Sequence, residues 1–277
     1  MAAPSRPLQF DLHAAGALAP GVASLSDVFA LRRGEPTAAA VEDKLPAAQV
    51  LPPNERRRAS QVVRLSLACA EEALRTSPFA VDQMRLVFAS DEGTGEVCQQ
   101  MLESLALGRD VSPLVFHNSV HNAPSGYFSI GHQNRQAALS VSLGAESFAS
   151  GLLCAVTEAL TTHQPVLFVA YDAPMPPPLR SLLPIEAWSA TAWVIAACSA
   201  RPVDTTPLAT FDLDLGPGLD EASADAPPAW LPASWAGNSS AWGFVALALL
   251  DEPGASCRLA LGRQWLRLSR AMEDMLC

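Results

Sequence analysis

The chain has 277 residues, 49% of them hydrophobic and 17% charged, with a formal net charge of −10. That length can bury a sizeable core, and the acidic balance argues against nucleic acid as the main partner. No apolar run reaches the ~18 residues of a membrane span, and the N-terminal MAAPSRPLQFDLHAAG lacks the apolar core of a signal peptide.

In chain order, Leu8, Phe10 and Leu12 alternate and predict a first strand. Residues 30–53 are rich in Ala and Pro and read as a loop with at most short helical turns. Pro52-Pro53-Asn54-Glu55 opens a helix through Arg75, with Asn54 as the expected N-cap. Its Arg56-Arg57-Arg58 run reads as a solvated helix start. Met84–Ala89 is a short buried strand that runs into Gly93-Thr94-Gly95 and a helix through Leu107. One GTG is a weak phosphate signal, and tight packing is the better reading of these glycines.

The stretch from Ser112 to Leu160 carries the densest pattern. A polar loop and a short helix lead to a strand at Ala138–Leu143, a turn at Gly144–Ser147 and a helix from about Phe148 to His163. Pro165–Tyr171 and Trp188–Cys198 are nearly continuous apolar runs, as strands buried on both faces are. Thr210–Leu215 alternates as a strand. Residues 216–240 read as a long loop or insertion, and Trp242–Leu250 fits helix or strand alike. Cys257–Arg270 alternates around Gly262-Arg263 as a terminal hairpin. Strands interleaved with helices imply a layered α/β domain. The six cysteines form no CxxC pair and lie mostly in apolar runs, which points to a reducing, cytoplasmic setting.

A strand turning sharply into a helix is where many enzymes mount a nucleophile. Ser147 is the only hydroxyl at this turn, but GAESF is not a GxSxG elbow, and capping of the following helix is the expected role. Cys154, flanked by Leu153 and Ala155, is expected to be packed rather than reactive. His117 and His121 share a helical spacing, yet Asn118 stands where a zincin needs Glu, so no metal is expected. These histidines, with Asn118 and Asn122, are read as hydrogen-bonding or pocket-lining groups.

Four segments, in order, carry a family resemblance: Asn122-Ala123-Pro124-Ser125-Gly126, the strand Leu139–Ser142, Phe148-Ala149-Ser150-Gly151, and the helix Ala155–Leu160. With the upstream LPPNERRRASQVVRLSLACAEEAL they resemble the N-terminal half of the β-ketoacyl synthases, over residues 8–200. The resemblance implies a thiolase-like layered fold, helices on a central mixed sheet, truncated relative to a full ketosynthase. It spans one domain, 1–277, whose residues 201–277 form a divergent completion. Where the family carries its nucleophilic Cys, this chain offers Phe148, or Ser147 under another alignment. HGTGT- and GHxxGA-type motifs are absent. Without thiolate and histidines, acyl transfer and extender decarboxylation lose their means.

FHNSVHNAPSGYFSI is similar, more narrowly, to short ketosynthase-like proteins of aryl polyene (xanthomonadin-type) clusters. That resemblance implies a catalytically silent, chain-length-factor-like subunit without a cofactor. It would form a heterodimer with a full-length β-ketoacyl synthase, meet acyl carrier protein through that complex, and help shape the acyl tunnel. Tunnel or interface candidates are Phe116, His117, Asn118, His121, Asn122, Tyr127, Ser147 and above all Phe148, a bulky residue that either bounds a tunnel or simply packs in the core. The alternatives are a divergent acyltransferase or ketosynthase acting through Ser147, and a scaffold without a tunnel role.

Overall fold

The computed structural model describes residues 7–37, 45, 47–216 and 224–272. Its centre is one eight-stranded mixed sheet in the order β3-β2-β4-β5-β1-β6-β8-β7. The strands are β1 (Leu8–Leu18), β2 (Arg85–Ala89), β3 (Ala138–Val141), β4 (Val166–Asp172), β5 (Ser189–Ala197), β6 (Ala209–Gly216), β7 (Ser256–Leu261) and β8 (Gln264–Arg270). β2 runs parallel to β3 and β4, and the other pairings are antiparallel. The helices are α1 (Leu25–Arg33), α2 (Pro53–Arg58), α3 (Gln61–Leu74), α4 (Gly95–Ala106), α5 (Pro113–His117), α6 (Ala123–Gly131), α7 (Ser147–Thr162), α8 (Pro177–Arg180) and α9 (Ala241–Ala248).

Side-chain alternation along the central strands builds two cores, one on each face of the sheet. Val166, Phe168 and Ala170 of β4 face α7 and α9, while Leu167, Val169 and Tyr171 face α3 and α6. Because both faces are covered, β4 and β5 do not alternate apolar with polar residues and read as nearly continuous apolar runs. β1 follows the same rule with one phase change. Phe10 and Leu12 lie in the α7 core, and a register shift between Leu12 and Ala14 then turns Ala14 to the opposite core. Two glycines admit the helices closely. A Cβ at Gly16 would lie 2.6 Å from the Cys69 carbonyl oxygen of α3, and one at Gly151 would lie 2.7 Å from Ala89 Cβ.

Several expectations need correction. The Ala/Pro-rich stretch begins inside a helix: α1 ends at Arg33, with Ser24 at its N-cap and Gly34 in the left-handed region closing it. The expected helix over 54–75 is two helices, broken at Ala59-Ser60. Asn54 lies inside α2, the N-cap there is Pro52, and Ser60 caps α3. β3 stops at Val141, two residues short of Leu143, and is an edge strand with Ala138 and Leu139 exposed. Trp242–Leu250 is mainly the helix α9. Residues 38–44 and 217–223, parts of the two expected loops, lie outside the described residues.

Candidate functional site

The turn between β3 and α7 is closed by its own polar groups. The Leu143 N–H donates to Ser147 Oγ at 2.8 Å, and that hydroxyl donates to the Gly144 carbonyl at 2.7 Å. Ser147 is fully buried. It is therefore not the N-cap of α7, since Glu146 holds that position and Ser147 is the first helical residue. Its oxygen is used backwards, to close a turn whose Gly144 has φ +59°. Glu146 reaches 116 residues down the chain, where its carboxylate accepts the Gly262 N–H at 2.7 Å. Phe148 is fully buried, with ring centroids 5.6 Å from Phe168 and 6.2 Å from Trp193. The expected tunnel-bounding residue is thus a member of the α7 core.

Beneath the turn lies a buried carboxylate pair. Asp172, at the end of β4, accepts hydrogen bonds from Ser90 Oγ (3.2 Å), Asp91 N (2.8 Å), Ser239 Oγ (3.2 Å) and Ser240 N (2.7 Å). It so ties β2 to the start of α9. Burial pushes its carboxyl above the usual range, and the hydrogen bonds from Ser240, Asp91 and Ser90 offset only part of that rise. Asp91 is nearly buried, and its Oδ1 lies 3.8 Å from where a Cβ on Gly144 would sit and has no hydrogen-bond partner. Burial first, then Asp172 and Glu92, push Asp91 up to about 6. Sequence reasoning missed this pair, whose only sequence signal is an Asp at or just beyond the end of two buried strands.

The other candidates separate. An apolar groove of about 480 Å³ opens between residues 50–55 and α6, and His117, Asn122 and Tyr127 line it beside Val50, Val120 and Ile130. His117 and Tyr127 meet edge to face at 6.1 Å. Burial raises the Tyr127 phenol, with Glu55 adding to the shift. One wall is clamped from below, because the Gln49 and Val50 N–H groups donate to the Glu71 carboxylate (3.1 and 2.8 Å). The Arg56 guanidinium donates to the Gln49 and Leu51 carbonyls (3.3 and 3.0 Å), so this arginine is partly structural rather than simply solvated. Asn118 is buried outside the groove lining, donating to the Arg58 and Leu114 carbonyls (3.2 and 3.1 Å). His121 packs over Gly93, and Phe116 stands exposed on α5. Gly95 packs against Met175, in keeping with a packing role for the GTG glycines. Among the described residues, no group of three or more His, Cys, Asp or Glu is placed to hold a metal.

Residues 29–223, more than half of the chain, match the family model described as β-ketoacyl synthase, N-terminal domain. The chain belongs to the β-ketoacyl synthase family. Among solved structures it resembles a chain of the ketosynthase ApeO in complex with its chain length factor ApeC from Xenorhabdus doucetiae (TM-score 0.70, 22% identity, 95% of this chain and 99% of that one). It also resembles a chain of the ishigamide ketosynthase/chain length factor (TM-score 0.71, 13% identity, 97% and 100%). A third likeness is to a chain of AntDE:AntF, a type II polyketide synthase acyl carrier protein in complex with its ketosynthase (TM-score 0.74, 11% identity, 97% and 100%). No curated protein matches. The fold is the thiolase-like one of the ketosynthases, in a chain shorter than a full ketosynthase.

Proposed function

We propose that this ketosynthase-family chain is a chain-length-factor-like subunit. It pairs with a complete β-ketoacyl synthase in the cytoplasm and meets acyl carrier protein through that complex. It bounds the tunnel for a growing acyl or polyene chain, in aryl polyene or related fatty acid and polyketide-type biosynthesis. The observation that carries the reading is the turn where the family mounts its cysteine. Here the one hydroxyl is fully buried, bonded to backbone at both ends, and followed by a sealed phenylalanine. A nucleophile needs a base within hydrogen-bond reach and an open approach, and no histidine is among the hydrogen-bond partners of Ser147. The near-complete overlap with chains of ketosynthase/chain length factor complexes supports a partner role. Five free cysteines among the described residues support a reducing compartment.

The tunnel role passes from Phe148 to the groove, whose lining is mostly apolar and which has room for a hydrocarbon chain. The test is co-expression with the complete β-ketoacyl synthase of the same organism, followed by size exclusion with light scattering. A one-to-one complex is expected. Intact-mass measurement after incubation with acyl carrier protein substrates should then show acylation of the synthase and none of this chain. An adduct on Ser147 overturns the silent-subunit reading in favour of an acyltransferase.

A further inference from the structure

The groove has one wall that neither helix nor strand supports. Residues 47–52 lie outside both, facing α6 across the groove. Ala48 and Leu51 belong to the core shared by α3 and α6, and Val50 and Leu51 line the groove. Val50 rests on the end of α6, where a Cβ on Gly131 would lie 3.0 Å from Val50 Cγ2 and 3.7 Å from Leu51 Cδ2. Among the described residues, the backbone of 47–51 makes one hydrogen bond to other backbone, from the Leu51 N–H to the Ala48 carbonyl at 3.4 Å. Two charged side chains do the rest. The Glu71 carboxylate of α3 accepts the Gln49 and Val50 N–H groups, one on each oxygen. The Arg56 guanidinium of α2 donates to the Gln49 and Leu51 carbonyls.

A stretch held in this way is as steady as its anchors. Arg56 stands five residues beyond Leu51 and travels with the wall. Glu71 stands on a helix fixed to the sheet, since Gly16 of β1 admits the α3 backbone at contact distance. Hydrogen bonds to a charged group are roughly twice as strong as neutral ones, and surface segments without such ties are the mobile part of a fold. We infer that Glu71 is a positioning and specificity-determining residue, which by fixing Val50 and Leu51 sets the width of the groove and so the cross-section of the chain it accepts. This rests on the groove reading above and adds what holds the groove to size. The task requires a carboxylate. Glutamine offers one acceptor oxygen and turns its amide N–H groups toward the second backbone N–H, so it cannot receive both.

The experiment uses the full chain and cis-parinaric acid, a polyene fatty acid that fluoresces on entering an apolar site. Displacement is measured with dodecanoic acid and with a phenyl-ended octanoic acid, which differ in cross-section. Glu71 is half-buried and outside the apolar cores, so Glu71→Gln should fold. It should raise the affinity for the phenyl-ended acid relative to dodecanoic acid at least threefold. Hydrogen exchange over residues 47–51 should quicken at least tenfold, with exchange over the rest of α3 unchanged. An equal change in affinity for both acids makes Glu71 a structural residue only and overturns the inference, as does a wild-type ratio in the variant. Gly126→Phe, which fills the groove, should abolish uptake. Uptake that survives Gly126→Phe, or no uptake by the wild-type chain, defeats the groove reading itself and takes the inference with it.

Discussion

Asp91 carries a carboxyl that folding makes harder to ionise, through burial first and then through Asp172 and Glu92. Its ordinary value of 3.8 rises to about 6, so the folded state binds its proton more tightly than the unfolded state does. At pH below about 4 both states are protonated and nothing is lost. Between about 4 and 6 the unfolded chain ionises first, and the cost to stability grows, reaching its full size above about pH 7. Asp91→Asn should therefore stabilise the protein at pH 7.5 by about 1–3 kcal/mol and leave it unchanged at pH 3.5. Thermal unfolding at the two pH values reads this directly, and an equal shift at both would refute it. Phe148→Ala removes a ring packed between Phe168 and Trp193. It should cost about 3–5 kcal/mol, seen as a lower urea midpoint. Ser147→Ala strands the Leu143 N–H and should cost about 1–3 kcal/mol by the same measurement. Acylation of the complex should be unaffected.

At the scale of elements, α1 shows what capping contributes. Ser24 Oγ accepts the Asp27 N–H and donates to the Asp27 carboxylate, which in turn accepts the Ala23 N–H. Ser24→Ala should cost about 1 kcal/mol, again visible as a shifted urea midpoint. Ser24 and Asp27, just ahead of the stretch read as loop, and Gly34 inside it were a readable start and stop. β4 and β5 were legible because burial on both faces leaves a nearly continuous apolar run, with polar residues only at Asp172, Ser189 and Thr191, and the terminal hairpin because Gly262 sits at its tip. α9 was ambiguous for the same reason that β4 was clear: a helix with apolar residues all around has no period to read. The position of the β3–α7 turn could be read from its small residues. The direction of the Ser147 hydrogen bonds could not, since a serine one place inside a helix and a capping serine look alike in a string. The groove joins residues near 50 to residues near 125 and has no local pattern at all.

At the scale of the whole molecule, one fold serves both for stability and for a surface shaped by volume. Gly126 lines the groove, and a Cβ there meets nothing within 4 Å. Gly126→Ala should raise stability by up to about 1 kcal/mol, because alanine favours the helix. Gly126→Phe should fill the groove and shorten the product of the reconstituted complex, read by mass spectrometry of the released chains. Unchanged length with Phe in place would separate the groove from the tunnel.

The place of β1 in the sheet has a consequence in time. It lies between β5 and β6, so during synthesis this strand waits for neighbours that begin at Ser189 and Ala209. At ordinary rates of synthesis that wait is roughly 10–35 s. Through it Phe10, Leu12 and the alanines of β1 stay unpaired on a growing chain, open to chaperones and to one another. The nascent protein thus carries an uncovered apolar strand until the centre of its sheet can close.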